Sequence, residues 1–314
     1  MGKYRNQLPQ LSGDIFLTDG GTETYLIYKR GLELPHFSAF HLLDDPKGYE
    51  EVLQYFTNYA AIAKKYRKGL ILCSINYRAS SDWGTLLGYS KSGLAEMNHK
   101  AIEMLHEVAD EYESESSKMV ISGCIGPRGD AYELNRKMSA EEAEQYHAEQ
   151  IQTLGDADVD MVTGLTLNNV SEAIGIARAA KSAEIPVVIS FTVESDGKLG
   201  SGETLKNAIS FVDAETDNAP AYYMLNCAHP LDYESALEDA PWMKRLCGIR
   251  PNASSKSHGQ LSDLGRLDEG DPVELGQQIG ELSRRFGHIN VFGGCCGTDH
   301  VHVEEICKRV LAVN

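Results

Sequence analysis

The feature that most limits what this chain can fold into is a rhythm of eight short, β-rich apolar runs separated by stretches of helical periodicity. The runs are IFLTD (15–19), LILCS (70–74), MVISG (119–123), VDMVTG (159–164), PVVISFTV (186–193), AYYMLN (221–226), LCGIR (246–250) and NVFGG (290–294). Several are apolar almost without interruption, the pattern of parallel strands covered on both faces. Between them, residues 49–66 place Val52, Phe56, Tyr59 and Ala63 on one stripe, and 93–112 repeat the pattern. Ser139 and Glu142 have the spacing of a capping box at the head of 139–156. A helical pattern follows in 168–184, Asp271-Pro272 opens another, and a last helix is expected from about Asp299. Eight strands, each followed by a helix, in 314 residues predict an α/β fold, a single (β/α)8 TIM barrel. A doubly wound sheet usually opens on G-x-G-x-x-G, which TDGGTET does not match. No Pro/Gly-rich linker or composition shift divides the chain, so residues 1–314 read as one domain.

The formal net charge is −17, spread along the chain. That charge repels nucleic acid phosphates and anionic lipid, so no nucleic acid and no membrane surface is expected as a partner. No apolar run is long enough to span a bilayer, and the polar N-terminus does not resemble a secretion signal. The seven cysteines are odd in number, which argues against a disulfide framework and for a cytoplasmic protein. In that setting a cysteine cluster points to metal or catalysis. A homo-oligomer is compatible with this composition.

A barrel places its chemistry at the C-terminal ends of its strands. There stand Asp19-Gly20-Gly21, Ser74 to Ser80, Gly126 to Asp130, Leu165-Thr166, Glu194 to Asp196, Asn226-Cys227, Arg250 to Asn252 and Gly294-Cys295-Cys296. Cys227, Cys295 and Cys296 offer three thiolates, the donors that zinc prefers, and leave a fourth position open. Neighbouring residues of a strand point to opposite faces, so the adjacent cysteines converge only where Gly293, Gly294 and Gly297 let the chain leave the strand. Three thiolates on one divalent ion make a poor activator of water but a good holder of a soft thiol. His229, His300 and His302 are candidate substitutes, although His300 and His302 are badly spaced for one helix face. Two other readings stay open: Cys227 as ordinary core, and the glycine loop as a phosphate cradle at a helix N-terminus.

Five motifs, TDGG (18–21), SINYRAS (74–80), GCIGPRGD (123–130), LNC (225–227) and GGCCGT (293–298), occur in order along the chain. Together they resemble the homocysteine S-methyltransferase family. The resemblance implies a (β/α)8 barrel in which Cys227, Cys295 and Cys296 bind Zn2+ and act through it. It implies a methyltransferase in which a metal-held homocysteine thiolate attacks a methyl group on a sulfonium, ammonium, folate or cobalamin. It assigns Asp19 to the substrate's amino group and the amides of Gly20 and Gly21 to its carboxylate, with Ser74 and Asn76 nearby.

One position departs from the family pattern. Leu165 stands where most members carry a glutamate that shares the amino-group contact. A lost charge-assisted hydrogen bond is worth roughly 1.5–3 kcal/mol, or one to two decades of affinity. The acceptor is therefore either homocysteine held by another carboxylate, Glu194 and Asp196 being candidates, or a related thiol or selenol. No folate or cobalamin domain is visible at this length, so a small free donor is expected: S-methylmethionine, S-adenosylmethionine or a betaine-like molecule. Tyr77, Phe37 and Trp83 could face its positive charge. The rival functions are a zinc-bearing barrel that binds a thiol without methylating it, and a phosphate-ester enzyme.

Overall fold

The computed structural model describes residues 1–132, 138–256, 260 and 264–313, the side chain of Val313 excepted. Eight parallel strands close into one barrel in sequence order. They are β1 (Phe16–Thr18), β2 (Gly69–Cys73), β3 (Met119–Ile125), β4 (Met161–Leu167), β5 (Val187–Phe191), β6 (Pro220–Asn226), β7 (Leu246–Arg250) and β8 (Val291–Phe292). The ring shuts where Phe16 pairs with Val291 and Leu17 with Phe292. The long helices are α1 (Pro46–Tyr66), α2 (Lys91–Tyr112), α3 (Ala140–Asp156), α4 (Val170–Ser182), α5 (Leu205–Thr216), α6 (Pro272–Arg285) and α7 (His300–Val313). The expected TIM barrel is thus present, with every predicted strand in its place.

Local chemistry starts the helices where the sequence implied. Ser139 and Glu142 form the reciprocal capping box of α3. Asp271 accepts the amides of Val273 and Glu274 at 2.8 and 3.2 Å, with Pro272 at the first helical position of α6. The expectation of a helix after every strand fails at the sixth connection. There only the short helix Pro230–Tyr233 and two 3-10 turns, Glu234–Ala236 and Pro241–Arg245, join β6 to β7. Pro230 and Pro241 each begin one of these turns, and a proline suits a first turn but not a helix interior.

Alternation along the strands divides the core. Leu17, Leu70, Leu72, Ile121, Val162, Ile189, Leu225 and Phe292 face outward and bury themselves under the helices. Phe16, Ile71, Val120, Met161, Val188, Tyr222 and Val291 face inward and fill the lower barrel, with Leu8 of the N-terminal segment packed onto them. Asn290 ties that segment down by donating to the carbonyls of Gln10 and Asp14 at 2.7 and 2.8 Å. Higher up, the inward positions become polar: Ser122 and Thr163 hydrogen bond at 2.7 Å, and Asp19, Asn226 and Arg250 follow, all buried. A buried polar layer of this kind needs internal partners, and those partners shape the site above it. Among the described residues, no helix is long and apolar enough to cross a membrane.

Candidate metal and substrate site

A cavity of about 420 Å3 opens at the C-terminal end of the barrel, where the fold predicts the chemistry. Cys227, Cys295 and Cys296 form one side of it; Asp19, Glu23 and Leu165 are among the residues of the other walls.

The sulfur side is set by backbone geometry. Cys227 follows β6 directly and takes a left-handed conformation, φ 56°, which is uncommon for a residue with a Cβ. Its amide donates to Arg250 O at 3.2 Å and its carbonyl accepts the Thr192 hydroxyl at 3.3 Å, so the turn is held from both sides. Asn226 lies beneath. Its side-chain oxygen accepts Thr166 N–H at 2.9 Å and the Ser190 hydroxyl at 2.6 Å. Its amide nitrogen donates to Thr166 Oγ1 at 2.8 Å and lies 3.6 Å from Cys295 Sγ.

The second loop leaves β8 with its amides already engaged. Gly293, Gly294 and Cys295 donate to the carbonyls of Ile249, Asp19 and Pro251, at 3.2, 2.9 and 2.8 Å. Gly297 donates to Thr24 Oγ1 at 3.1 Å, and Thr298 N–H to Cys295 O at 3.1 Å. A Cβ on Gly294 would lie 2.0 Å from Thr298 Oγ1, and Gly297 has φ 83°, so both positions require glycine. Those donors are unavailable to an anion, and the phosphate-cradle reading loses its basis.

All three sulfurs lie within 4.8 Å of one another. Cys227 and Cys296 are 3.8 Å apart, about the edge of a tetrahedron with metal–sulfur bonds near 2.3 Å. Cys227 and Cys295 are joined by a disulfide. That bond departs from the expectation that the cluster serves metal or catalysis rather than a crosslink, and the reason is local: the two loops that bring three sulfurs together also bring two of them within bonding reach. A bonded pair offers no thiolate, so this crosslink and a three-sulfur metal site exclude each other. In the reduced state the donor set is soft, all sulfur, and suits zinc. Burial, and then the nearby Glu23 carboxyl, push the Cys296 thiol up to about 12, so a metal must displace its proton. Two of the candidate histidines have other tasks, and the ring of His300 lies edge-on to Tyr25, 6.4 Å between centroids. His229 accepts Leu231 N–H at 3.3 Å, and His302 is held by Asp299 and by Glu269 O, both at 2.8 Å.

The opposite side differs from expectation at several residues. Asp19 is buried and paired with Arg250 at 3.0 Å, and the hydroxyls of Thr22 and Tyr55 donate to it at 3.1 and 3.3 Å. Burial raises the Asp19 carboxyl, and Arg250 and the two hydroxyls oppose that rise. Burial also works against the Arg250 charge, but Asp19 holds it above its usual range. Arg250 further donates to Gly294 O at 3.0 Å, which ties the first strand's loop to the cysteine loop.

Gly20 and Gly21 border the cavity, but the Gly21 amide is occupied by Thr298 O at 3.0 Å. Ser74 also borders it and accepts Cys124 N–H at 3.0 Å, which leaves its hydroxyl proton to give. Asn76 is a correction. It is fully buried outside the lining, donates to Asn98 Oδ1 at 3.0 Å, and belongs to the packing of the loop on α2. Leu165 packs with Cys73, Cys124 and Tyr77 and makes its wall apolar. Glu194 and Asp196 do not line the cavity, and Asp196 pairs with Lys198 at the surface at 3.4 Å. Phe37 and Tyr77 line it, whereas Trp83 does not. Trp83 and Phe37 instead lie against Arg78, 4.2 and 5.8 Å from its guanidinium carbon.

Sequence reasoning missed Glu23, Tyr132, Cys73 and Cys124 as lining residues and left Arg250 without a role. The available signal was phase: Cys73 and Arg250 end strands whose alternate residues face inward. Glu23 lies in the short helix Thr22–Thr24 just after β1. Burial, with a further push from Asp19, raises its carboxyl to about 7.

Comparison with known proteins agrees with this geometry. Two crystal structures of the Escherichia coli homocysteine methyltransferase MmuM share the fold. The oxidised form matches with TM-score 0.76 and 19% identity over 97% of this chain and 99% of that one. The metallated form matches with TM-score 0.74 and 21% identity, over 97% and 100%. A methionine synthase of Mycobacterium tuberculosis (strain ATCC 25618 / H37Rv) is 27% identical over 227 residues, 69% of this chain. The chain spans only 18% of that relative's length. The homocysteine S-methyltransferase family matches residues 16–310, a stretch that runs from β1 through α7 and holds all three cysteines and Asp19. A match of that extent, on a closed barrel with the family's motifs at its rim, means that the chain belongs to the homocysteine S-methyltransferase family.

Proposed function

We propose that this protein moves a methyl group from a small cationic donor to the thiol of homocysteine or a related thiol or selenol, with Zn2+ held by Cys227, Cys295 and Cys296. The observation that carries this is the convergence of three sulfurs on one side of a cavity at the barrel's C-terminal end. Zinc, when bound, supplies a soft Lewis acid that keeps the acceptor sulfur a thiolate near neutral pH. The chain's own residues do the rest. Asn226 and the engaged amides of 293–298 hold the two cysteine-bearing loops in place once the Cys227–Cys295 bond is reduced. The apolar wall around Leu165 and Tyr77 keeps water away from the reacting atoms.

The acceptor thiol gives its proton to solvent as the thiolate forms, and in the transfer the thiolate sulfur forms a bond to the methyl carbon. The donor's sulfur or nitrogen keeps the electron pair of the broken bond and becomes neutral. S-methylmethionine, S-adenosylmethionine and betaine-like molecules satisfy that balance, and the methylated homocysteine is methionine. Free thiols are required, which fits a reducing compartment such as the cytoplasm. In this proposal residues 1–314 act as a single domain, and a homo-oligomer is compatible with it.

Zinc-loaded, reduced protein incubated with homocysteine and each donor should form methionine catalytically with at least one of them. Absence of bound zinc, together with an unchanged C296S variant, would sink the proposal. Thiol binding without product under every donor would favour a pure thiol-binding barrel.

A further inference from the structure

We infer that Glu23 is the carboxylate that binds the positively charged amino group of the acceptor, which makes it the residue that selects an amino-acid thiol over a plain one. The inference rests on the methyl-transfer function proposed above. Three acidic residues border the cavity: Asp19, Glu23 and Asp130. Asp19 is committed to Arg250 at 3.0 Å, and Asp130 to Arg78 at 2.8 Å. Among the described residues, Glu23 alone of the three has no ion pair.

An ammonium entering this cavity would have to displace an arginine to use Asp19 or Asp130. To use Glu23 it would break no ion pair among the described residues. The wall at Leu165 offers no charge, and the acidic residues after β5 lie outside the lining. The place of Glu23 also fits the acceptor. Glu23 and Cys296 line the same cavity, and the residue after Glu23 touches the cysteine loop directly, Thr24 Oγ1 accepting Gly297 N–H at 3.1 Å, so Glu23 stands beside the sulfur side, where the acceptor's own sulfur must sit.

An amino-acid head also carries a carboxylate. Arg78 borders the same cavity, and its buried Nε has no acceptor among the described residues. Both charges of an amino-acid head therefore find a counterpart in this cavity.

The test compares native protein with E23Q, a change of charge without a change of shape. Both are loaded with Co2+ in place of zinc, so that thiol binding is read from the thiolate-to-metal absorption band without turnover. The probes are homocysteine and 4-mercaptobutanoate, the same thiol acid without its amino group. Native protein should prefer homocysteine. In E23Q that preference should shrink by about 10- to 100-fold, through weaker binding of homocysteine alone. The KM of the methyl donor should stay as it is. An unchanged preference, equal weakening of both thiols, or a change confined to the donor's KM would each overturn the assignment. Native protein that binds neither thiol would overturn the methyl-transfer proposal as well, a result distinct from thiol binding without preference.

Discussion

The two sides of the cavity are built on different principles. On the sulfur side, the side chains are presented by backbone whose hydrogen bonds are already made. Cys227 sits in a left-handed turn, Gly294 lets Thr298 approach, and five amides of 293–298 have internal acceptors. On the carboxylate side, charge has been reassigned among side chains. Arg250 takes Asp19, Leu165 makes its wall apolar, and Glu23 faces the cavity without an ion pair among the described residues. A metal needs ligands within a few tenths of an ångström, which only a fixed backbone provides. A substrate's charge can be met from any of several positions on the same rim, so that side is free to vary.

The largest effect should come from breaking the sulfur side directly. In C296S one of three thiolates is lost. Zinc affinity should fall by more than the roughly 10–100-fold that a lost outer partner costs. Metal analysis after dialysis against a chelator would read this, and full zinc retention would remove Cys296 from the ligand set. Next comes the pair that joins the two sides. R250M leaves the Asp19 charge buried and alone, which should cost about 3–5 kcal/mol of stability in denaturant titrations. Adding D19N should recover much of that loss. If the double variant were no more stable than R250M, the pair would not be the structural unit described here.

N226A should have a smaller effect with two parts. The buried Thr166 N–H loses its acceptor, worth about 1–3 kcal/mol. Cys295 loses its neighbouring donor, so zinc should bind about 10–100-fold more weakly. A stability loss with unchanged zinc affinity would make Asn226 a scaffold residue only.

The same contrast decides what could be read from the sequence. The strands were legible because parallel strands buried on both faces leave apolar runs, and the cysteine loop because adjacent thiols among glycines have few other uses. The sixth connection was not, since PLDY and PWMKR carry the prolines but no lasting periodicity. Asn76 was misplaced because it follows β2 by three residues, where alternation no longer tells which way a side chain points. The Asp19–Arg250 pair joins residues 231 positions apart, and no local pattern announces such a contact. It decides whether Asp19 is free, so the substrate side could not be completed from sequence. The Cys227–Cys295 bond was hidden for the opposite reason, because the features that predict a metal site also predict two sulfurs close together.

The smallest expected effect tests how far the sulfur side's rigidity extends along the chain. Asp299 closes the cysteine loop and opens α7. It accepts Val301 N–H at 3.0 Å and pairs with His302 at 2.8 Å and Lys29 at 2.7 Å. Burial alone would raise its carboxyl, but the hydrogen bonds from His302 and Lys29 outweigh burial and hold it well below the usual carboxylate range. The unfolded chain, with a carboxyl near 3.9, therefore takes up this proton at a higher pH than the folded one. The stabilisation is complete above about pH 5 and drains away as pH falls through about 4 toward the folded value. D299N keeps an oxygen for the cap but gives up the charge, so it should cost about 1–2 kcal/mol at pH 7. The gap between the two proteins in urea should narrow as pH drops below about 4. A gap that stayed constant down to about pH 3 would mean that the charge contributes nothing, and that the loop beneath the sulfurs is anchored by its backbone alone.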